Sequence, residues 1–216
     1  MLAKDRWVLK GEFGHAARDR LRVRGSELPG TSRRWVASRL ERDGVIFAEP
    51  WVEAIEEAGL QWTVPRSGPP ILQGVTTLQV DSSGQYRGSG FTADREVPEV
   101  WREAVRTTGR AARAAQDLGY FGPLGIDAMR YQRADGTVGL RPLQDINGRW
   151  TMGRLALGWR RLLGTGERGF WQHLRKVSTD QPAEPVSVRS PVSTSPEQID
   201  GRTVSYFTQL IFNHTN

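Results

Sequence analysis

The stretch of sequence that decides the fold is GPLGIDAMRYQRADGTVGLRPLQDINGRW, residues 122–150. Two segments within it, Gly125 to Tyr131 and Val138 to Ile146, have the composition of β-strands. Between them, Ala134-Asp135-Gly136 is typical of a hairpin loop in which glycine takes the left-handed position. The pattern therefore predicts two antiparallel strands joined by a short turn.

The length of that loop decides where the acidic residues of the hairpin lie. With a three-residue loop, Asp127 and Asp145 lie two residues apart in register on one face, and Asn147 extends the same row. Two carboxylates and an amide oxygen then form an oxygen-rich site suited to Mg²⁺. A two-residue Asp135-Gly136 loop would instead place Asp127 and Asp145 on opposite faces. Another alternative is a polar hairpin whose carboxylates pair with nearby arginines, namely Arg130 and Arg141.

Composition limits the classes to which the chain can belong. With 216 residues, 38% hydrophobic and 25% charged, the chain can bury a core as one domain or as two small lobes. It has no long apolar run, no signal-peptide core at its start and no cysteine. We therefore expect a cytoplasmic protein without disulfides or thiolate metal sites. The net charge of +6 comes mostly from arginine and indicates an anionic partner.

Patterns outside the hairpin predict further strands and helices. A first hairpin is expected from Trp7–Lys10 and Leu21–Val23, and Thr31 or Ser32 can cap a helix that ends at Gly44. The remaining predicted elements are strands at 45–48, 61–64, 71–80, 85–88 and 203–212, helices at 98–118 and 151–163, and an irregular segment at 178–197.

The 122–150 hairpin resembles the end of the ATP-grasp domain. There, an acidic residue on one strand and a Glu-x-Asn-x-Arg pattern on the next hold one or two Mg²⁺ ions against the triphosphate. The matching residues are Asp127, then Asp145, Asn147 and Arg149, with aspartate where the family usually has glutamate. The resemblance implies that Asp127, Asp145 and Asn147 are metal ligands. It also implies that Arg149 stabilises the transferring phosphate or an acyl phosphate.

An upstream segment resembles the phosphate-binding part of the same family. WVLKGEFGHAARDRLRV, residues 7–23, is similar to the family's lysine strand and flexible phosphate-covering loop. By this resemblance, Lys10 contacts the nucleotide phosphates and acts in catalysis, and Gly14 lets the loop close.

The next segment, VIFAEPWVEAIEE at residues 45–57, resembles the hinge strand on which adenine sits. The main chain around Glu49 and Trp51 would bond to the base edge. Glu56, or less favourably Glu53, would hold the ribose hydroxyls. From the residues alone, the glutamates could equally begin a solvated helix, and Trp51 could be a core aromatic residue.

The resemblance covers Trp7 to Gly153 and implies an α+β fold, an ATP-grasp-like nucleotide-binding half with antiparallel sheets and flanking helices. We expect a small lobe at residues 1–56, a metal-binding lobe at 57–176, and a Pro/Ser-rich segment with a final strand at 177–216. The family normally has a substrate domain before the segment where this chain begins. The resemblance therefore implies a missing domain, with a separate N-terminal half or a homo-oligomer as the partner.

The implied function is ligation that depends on ATP and Mg²⁺. ATP phosphorylates a carboxylate substrate, and an amine or thiol acceptor attacks the acyl phosphate. Two alternatives are a non-catalytic ATP-grasp remnant and a basic nucleic-acid-binding module that uses arginines and some of the eight tryptophans. The nucleic-acid alternative fits the charge but not the acidic row.

Overall fold

The structure is a computed structural model that describes residues 6–12, 20–25, 27–81, 85–175 and 189–214. Gly14, the predicted phosphate-loop glycine, lies outside these residues. The chain divides into two units, one comprising Met1–Ile55 and Arg130–Gly139, the other Glu56–Met129 and Leu140–Asn216. None of the helices described is long and apolar enough to cross a bilayer.

The first unit contains a three-stranded antiparallel sheet and one helix. Its strands, in the order β2-β1-β3, are β1 (Arg6–Gly11), β2 (Arg20–Arg24) and β3 (Ile46–Pro50). The pairing of β1 with β2 confirms the first predicted hairpin. The helix α1 (Gly30–Asp43) ends where predicted, because Gly44 has a φ of 74° and donates its N–H to the Leu40 carbonyl.

The start of α1 differs from the prediction. The helix begins at Gly30, directly after Pro29, and no side chain caps it. Thr31 and Ser32 lie inside the first turn, where Ser32 is buried. Proline's fixed φ already suits a helix start, so the chain enters the helix there without a hydroxyl cap.

Most of the remaining strands form one eight-stranded sheet in the described part of the chain. In chain order the strands are β4 (Glu53–Val64), β5 (Ile71–Val80), β6 (Tyr86–Thr92), β7 (Gly122–Gln132), β8 (Val138–Asn147), β9 (Glu167–Arg175), β10 (Val192–Ser193), β11 (Gln198–Ile199), β12 (Arg202–Thr203) and β13 (Tyr206–His214). The order across the sheet is β10-β13-β9-β6-β5-β4-β7-β8, while β11 and β12 pair separately.

Strand β4, which lies inside the eight-stranded sheet between β5 and β7, is longer than predicted. It begins at Glu53, so Glu53 and Glu56 lie on a strand, and the alternative that they begin a helix is wrong. Alternate residues from Ala58 to Val64 are buried and apolar. One face of β4 therefore belongs to the core, and the odd-numbered residues point to the other face.

The helix α2 (Arg102–Asp117) covers the even-numbered face of β4 and β7. A short 3₁₀ turn, Glu99–Trp101, precedes it, and Trp101 is buried in the same core. The Trp62 indole N–H donates to Thr108 Oγ1 at 3.2 Å, which ties β4 to the helix. The long predicted helix is thus confirmed as the cover of the core.

The helix α3 (Met152–Leu157) lies against the opposite face of the sheet. Thr151 caps it, since its hydroxyl oxygen accepts the Arg154 N–H at 3.2 Å, and a 3₁₀ segment, Gly158–Leu162, continues the chain. A second apolar cluster joins α3 to the sheet, formed by Phe91, Ala156, Leu157, Trp171, Leu210 and Phe212.

The sequence patterns did not predict β9, which lies between β6 and β13. Neighbouring residues Trp171 and Gln172 are both buried, so the strand lacks the alternation that marks a one-sided strand. Gln172 accepts a hydrogen bond from Gln209 Nε2 at 3.0 Å, which explains how a polar residue is tolerated there. A strand buried on both faces is not recognisable from period-two alternation.

Candidate functional site

The hairpin loop has the length on which the acidic row depends. Arg133 donates its N–H to the Thr137 carbonyl at 2.8 Å, which leaves a three-residue loop from Ala134 to Gly136. Gly136 has a φ of 83°, the left-handed conformation that glycine adopts without strain. The predicted three-residue loop is confirmed, and the alternative two-residue loop is wrong.

Asp127, Asn147 and Arg149 form a hydrogen-bonded row on this hairpin. Asn147 Nδ2 lies 3.5 Å from Asp127 Oδ2, and Arg149 Nη2 donates to Asn147 Oδ1 at 3.2 Å. Asp145 lies two residues before Asn147 on the same side of β8, and its Oδ1 accepts the Ile146 N–H at 3.1 Å. The structure thus brings together the four residues predicted at this end of the chain.

The Asp127 carboxyl lies in an unfavourable place for a negative charge. Its pKa is raised to about 7, first by burial and then by the charges of Asp145 and Glu57. The charge of Arg149 and the hydrogen bond from Asn147 lower the pKa and only partly offset these effects. A crowded, partly buried carboxyl of this kind is one that a divalent cation would stabilise as an anion.

Glu57 belongs to this acidic face, although the sequence patterns did not single it out. It is an odd-numbered residue of β4, and its charge acts on Asp127. A Cβ at Gly59, two residues further along the strand, would lie 3.6 Å from Asp127 Oδ1. Glu56 points to the opposite face of the strand. If the full length of β4 had been predicted, the alternation of the strand would have placed Glu57 on the acidic face.

The described residues of the acidic face do not by themselves provide a complete set of metal ligands. Within the described ranges, no three His, Asp or Glu side chains are arranged so that they could hold one. The predicted set has two carboxylates and an amide, and the amide presents Nδ2 to Asp127. A half-turn of the Asn147 amide would present Oδ1 to the same space, and phosphate oxygens and water would supply the remaining Mg²⁺ ligands.

Lys10, predicted to contact phosphate, lies in the first unit beside Glu49. Lys10 Nζ is 3.0 Å from each carboxylate oxygen of Glu49, and both side chains are partly buried. Val8 of β1 pairs with Glu49 of β3 and with Arg22 of β2, so these three residues share a face of the sheet. Lys10 lies two residues after Val8 on β1 and therefore points to the same face. Lys10 is therefore held in place by an acidic neighbour.

Trp51 follows β3 and is stacked by an arginine. The guanidinium carbon of Arg22 lies 4.0 Å from the centre of the Trp51 ring system. The Trp51 N–H donates to the Arg6 carbonyl at 2.9 Å, so this N–H is already used and cannot serve the base edge as well. Glu53 lies nearby in the chain and forms an ion pair with Arg6 at 2.6 Å.

A buried polar cluster borders the acidic face in the second unit. Thr151 Oγ1 donates to Gln61 Oε1 at 2.6 Å, and Gln61 is almost fully buried. A Cβ at Gly153 would lie 2.6 Å from both Gln61 Nε2 and Thr76 Oγ1, so only glycine leaves room for this cluster. The cluster holds the chain just beyond Arg149 against β4. Its members are too far apart in sequence for any local pattern to show the contact.

Comparisons with known proteins show similarity of fold without recognisable similarity of sequence. No protein-family model matches the chain, and no curated protein matches it. Biotin carboxylase from Campylobacter jejuni aligns with a TM-score of 0.65 and 12% identity, over 97% of this chain and 54% of that one.

Two further solved structures match in the same way. The biotin carboxylase domain of 2-oxoglutarate carboxylase from Hydrogenobacter thermophilus, solved with MgADP and bicarbonate, has a TM-score of 0.59 and 11% identity, over 97% of this chain and 53% of that one. Carboxyaminoimidazole ribonucleotide synthase from Aspergillus clavatus, solved with ATP, has a TM-score of 0.55 and 12% identity, over 95% and 57%. The chain spans about half the length of these structures. Because these proteins are ATP-grasp enzymes, the comparisons confirm the predicted fold class, and the chain has an ATP-grasp fold.

Proposed function

We propose that the chain binds ATP together with Mg²⁺ and is the nucleotide-binding part of a ligase that joins a carboxylate to an amine or a thiol. The row of Asp127, Asn147 and Arg149, with Asp145 beside it, carries this proposal. Oxygen ligands of this kind would hold Mg²⁺, and a divalent cation and a guanidinium are two kinds of group that neutralise the charge of a triphosphate. The ATP and MgADP complexes of the matched structures add support.

Asp127, Asp145 and Asn147 would hold the magnesium ion. They fit it because Asp127 is a poorly stabilised anion, crowded by Asp145 and Glu57, that a divalent cation would relieve. When bound, Mg²⁺ neutralises charge on the phosphate oxygens. The shorter side chain of Asp145, compared with the glutamate usual in the family, favours a site for one ion.

Arg149 and Lys10 would stabilise the charge on the phosphates. Arg149 presents a planar fork, suited to two oxygens of the transferring group. Lys10 has three donors, and its contact with Glu49 leaves capacity for a phosphate oxygen. Both residues lower the barrier by placing positive charge where negative charge develops, so the mechanism needs no protein nucleophile.

The chemistry follows from these roles in two steps. A carboxylate oxygen of the acid attacks the γ-phosphorus of ATP, the bond to the β-phosphate oxygen breaks, and ADP leaves. The amine or thiol then attacks the carbonyl carbon of the acyl phosphate. Inorganic phosphate leaves and the nucleophile loses a proton. The non-catalytic alternative differs in that nucleotide binds but no acyl phosphate forms.

The structure does not favour the nucleic-acid alternative. Arg102 and Arg113 of α2 form ion pairs with Glu99 and Asp117 on the same stretch of helix. Arginines paired in this way along a helix are typical of an ordinary solvated surface.

Calorimetric titration of the full chain with ATP in the presence of Mg²⁺ tests the proposal. We expect saturable binding by the wild type and about tenfold weaker binding by Asp145→Asn, which loses a charged ligand but keeps the shape; tenfold corresponds to about 1.4 kcal/mol. Asp117→Asn is the matched control, because Asp117 is an exposed carboxylate in a surface ion pair of small value. No binding by the wild type, or equal affinities for the two variants, would contradict the proposal.

A further inference from the structure

Arg154 is a partly buried arginine whose hydrogen bonds are incomplete. Its Nη2 donates to Thr63 Oγ1 at 3.0 Å, whereas its Nη1 is buried and has no hydrogen-bond partner in the described part of the chain. It makes no ion pair with any residue that the structure describes. A buried charge with an unused donor is costly unless an anion completes its surroundings.

Arg160 shows how a structural arginine of the same unit is satisfied. Its Nε donates to the Thr92 carbonyl and its Nη1 to the Gln73 carbonyl, each at 3.0 Å. These bonds join the segment after α3 to β5 and β6. The Arg154 guanidinium has one such bond, to a hydroxyl, and its buried Nη1 meets no acceptor among the residues described. The difference indicates that the residues described do not complete the hydrogen bonds of Arg154.

The Trp150 side chain packs beside the Arg154 guanidinium. The Arg154 guanidinium lies 5.3 Å from the centre of the Trp150 ring system, and Trp150 is 58% exposed. A stacked ring occupies a face of the guanidinium and leaves the donors at its edge for acceptors in the plane. An oxyanion in the plane of the guanidinium is therefore compatible with the Trp150 ring.

The place is separate from the acidic row. Thr63, which bonds to Arg154, lies on β4 four residues beyond Gly59, where a Cβ would lie 3.6 Å from Asp127 Oδ1. Four residues of strand span about 13 Å. The Thr63 hydroxyl that holds Arg154 is therefore separate from the position on β4 that faces Asp127.

We infer that Arg154, Thr63 and Trp150 form an oxyanion subsite that binds a carboxylate or phosphate group of the substrate, other than the group that reacts. The role of this anion as part of a substrate rests on the proposed function; its binding at Arg154 does not. The substrate class is thus an acid or acceptor that carries a second anionic group.

Thermal unfolding of the full chain in increasing sodium acetate or sodium phosphate, without nucleotide and at constant ionic strength, tests the subsite. Wild type and Arg161→Gln should show a saturable rise of the midpoint, about 3 °C at ten times the dissociation constant. Arg161 is the control because it is an exposed arginine of the neighbouring 3₁₀ segment. Arg154→Gln should lose at least half of the rise.

A response to acetate alone identifies a carboxylate subsite, and a response to phosphate alone identifies a phosphate subsite; both support the inference if Arg154→Gln reduces them. Equal responses of wild type and Arg154→Gln, or no response of the wild type to either anion, overturn it. In anion-free buffer, Arg154→Gln should unfold at or above the wild-type midpoint, because an incompletely bonded buried charge is removed. A midpoint several degrees lower would show a merely structural role and would also overturn the inference.

Calorimetry with Mg²⁺ and ATP on the same samples separates this inference from the proposed function. If the chain responds to anions through Arg154 but does not bind ATP, the subsite is supported and the proposed function is contradicted. If the chain binds ATP but shows no response that depends on Arg154, the proposed function is supported and the subsite is contradicted.

Discussion

Arg149 is held by its neighbours through contacts that a lysine could not reproduce. Its Nη2 bonds to Asn147 Oδ1 at 3.2 Å and its Nη1 to the Trp150 carbonyl at 3.3 Å. The planar fork makes both bonds at once, whereas an ammonium group is a point charge on a flexible stem. The orientation of the cation at the acidic row therefore depends on the guanidinium itself.

Replacing Arg149 by Lys should reduce turnover more than ATP affinity. Under the proposed function, the kept charge preserves ground-state attraction to the nucleotide, whereas the forked contact proposed for the transferring phosphoryl group is lost. We expect a fall in turnover on the order of a hundredfold, similar to the loss of one transition-state donor. Hydroxamate formation, with hydroxylamine as the acceptor and a panel of carboxylic acids, measures acyl phosphate formation.

Arg161→Lys is the control for this measurement and should keep wild-type turnover. Equal losses of turnover and of ATP affinity in Arg149→Lys would show that Arg149 serves ground-state binding instead.

His173 makes stability depend on pH in a predictable direction. Burial lowers the pKa of His173, its Nε2 has no partner among the described residues, and it lies edge-on to Tyr86 and Trp171. The unfolded chain binds the proton more readily, with a pKa near 6.5. The contribution of neutral His173 to stability is therefore present above about pH 6.5 and is lost as the pH falls below it.

Replacing His173 by Phe should flatten this dependence. Urea unfolding at pH 7.5 and 5.5 should show a smaller loss of free energy of unfolding on acidification for His173→Phe than for the wild type. Both proteins retain Asp127, whose raised pKa acts in the opposite direction, so its effect cancels in the comparison. An identical loss in the two proteins would mean that His173 is protonated as easily in the folded state as in the unfolded state.

At the scale of elements, the side chain of Arg160 contacts the backbone of β5 where the pairing of β5 with β4 is irregular. The pairing of β4 with β5 shifts register at Gln61 and Trp62, opposite Gly74 and Leu72, which leaves Gln73 as an extra residue. Arg160 Nη1 donates to the carbonyl of Gln73. The irregularity in β5 thus provides the acceptor that anchors the segment after α3.

Gly74 is required where this arginine meets the strand. A Cβ at Gly74 would lie 2.5 Å from Arg160 Nη2, and Gly74 has a φ of 153°. Gly74→Ala should therefore lower the free energy of unfolding by about 1–3 kcal/mol, through steric overlap as well as backbone strain. Gly68→Ala is the matched control, because Gly68 also has a positive φ, 83°, but nothing lies within 4 Å of its added Cβ.

Urea unfolding of both glycine variants measures the difference. If Gly74→Ala were no more destabilising than Gly68→Ala, the approach of Arg160 would not be what requires glycine at this position.

At the scale of the whole molecule, the predicted nucleotide residues are distributed between the two units. Lys10, Glu49 and Trp51 lie in the first unit, and Asp127, Asp145, Asn147 and Arg149 lie in the second. The fold is shared with ATP-grasp enzymes about twice as long as this chain. The candidate residues of the proposed function therefore come from both units of the chain.

The sequence by itself determined the features that depend on neighbouring residues. The three-residue loop places Asp127, Asp145 and Asn147 on one face because strand alternation and the glycine of the turn act locally. Gly44 ends α1 for the same kind of reason, since a left-handed residue closes the last turn of a helix. The motifs that resemble the ATP-grasp domain could also be identified from the sequence, because each one consists of residues close together in the chain.

Only the tertiary structure decided which distant residues meet at the site. Glu57 joins the acidic face because β4 lies beside β7, and Thr151 bonds to Gln61 across 90 residues of sequence. β9 takes a place within the sheet although its own pattern does not mark it as a strand. The Nη1 of Arg154, which has no hydrogen-bond partner among the described residues, likewise becomes visible only in the packed structure. Local periodicity predicts the direction in which a side chain points, whereas its partners depend on how separate strands and helices pack.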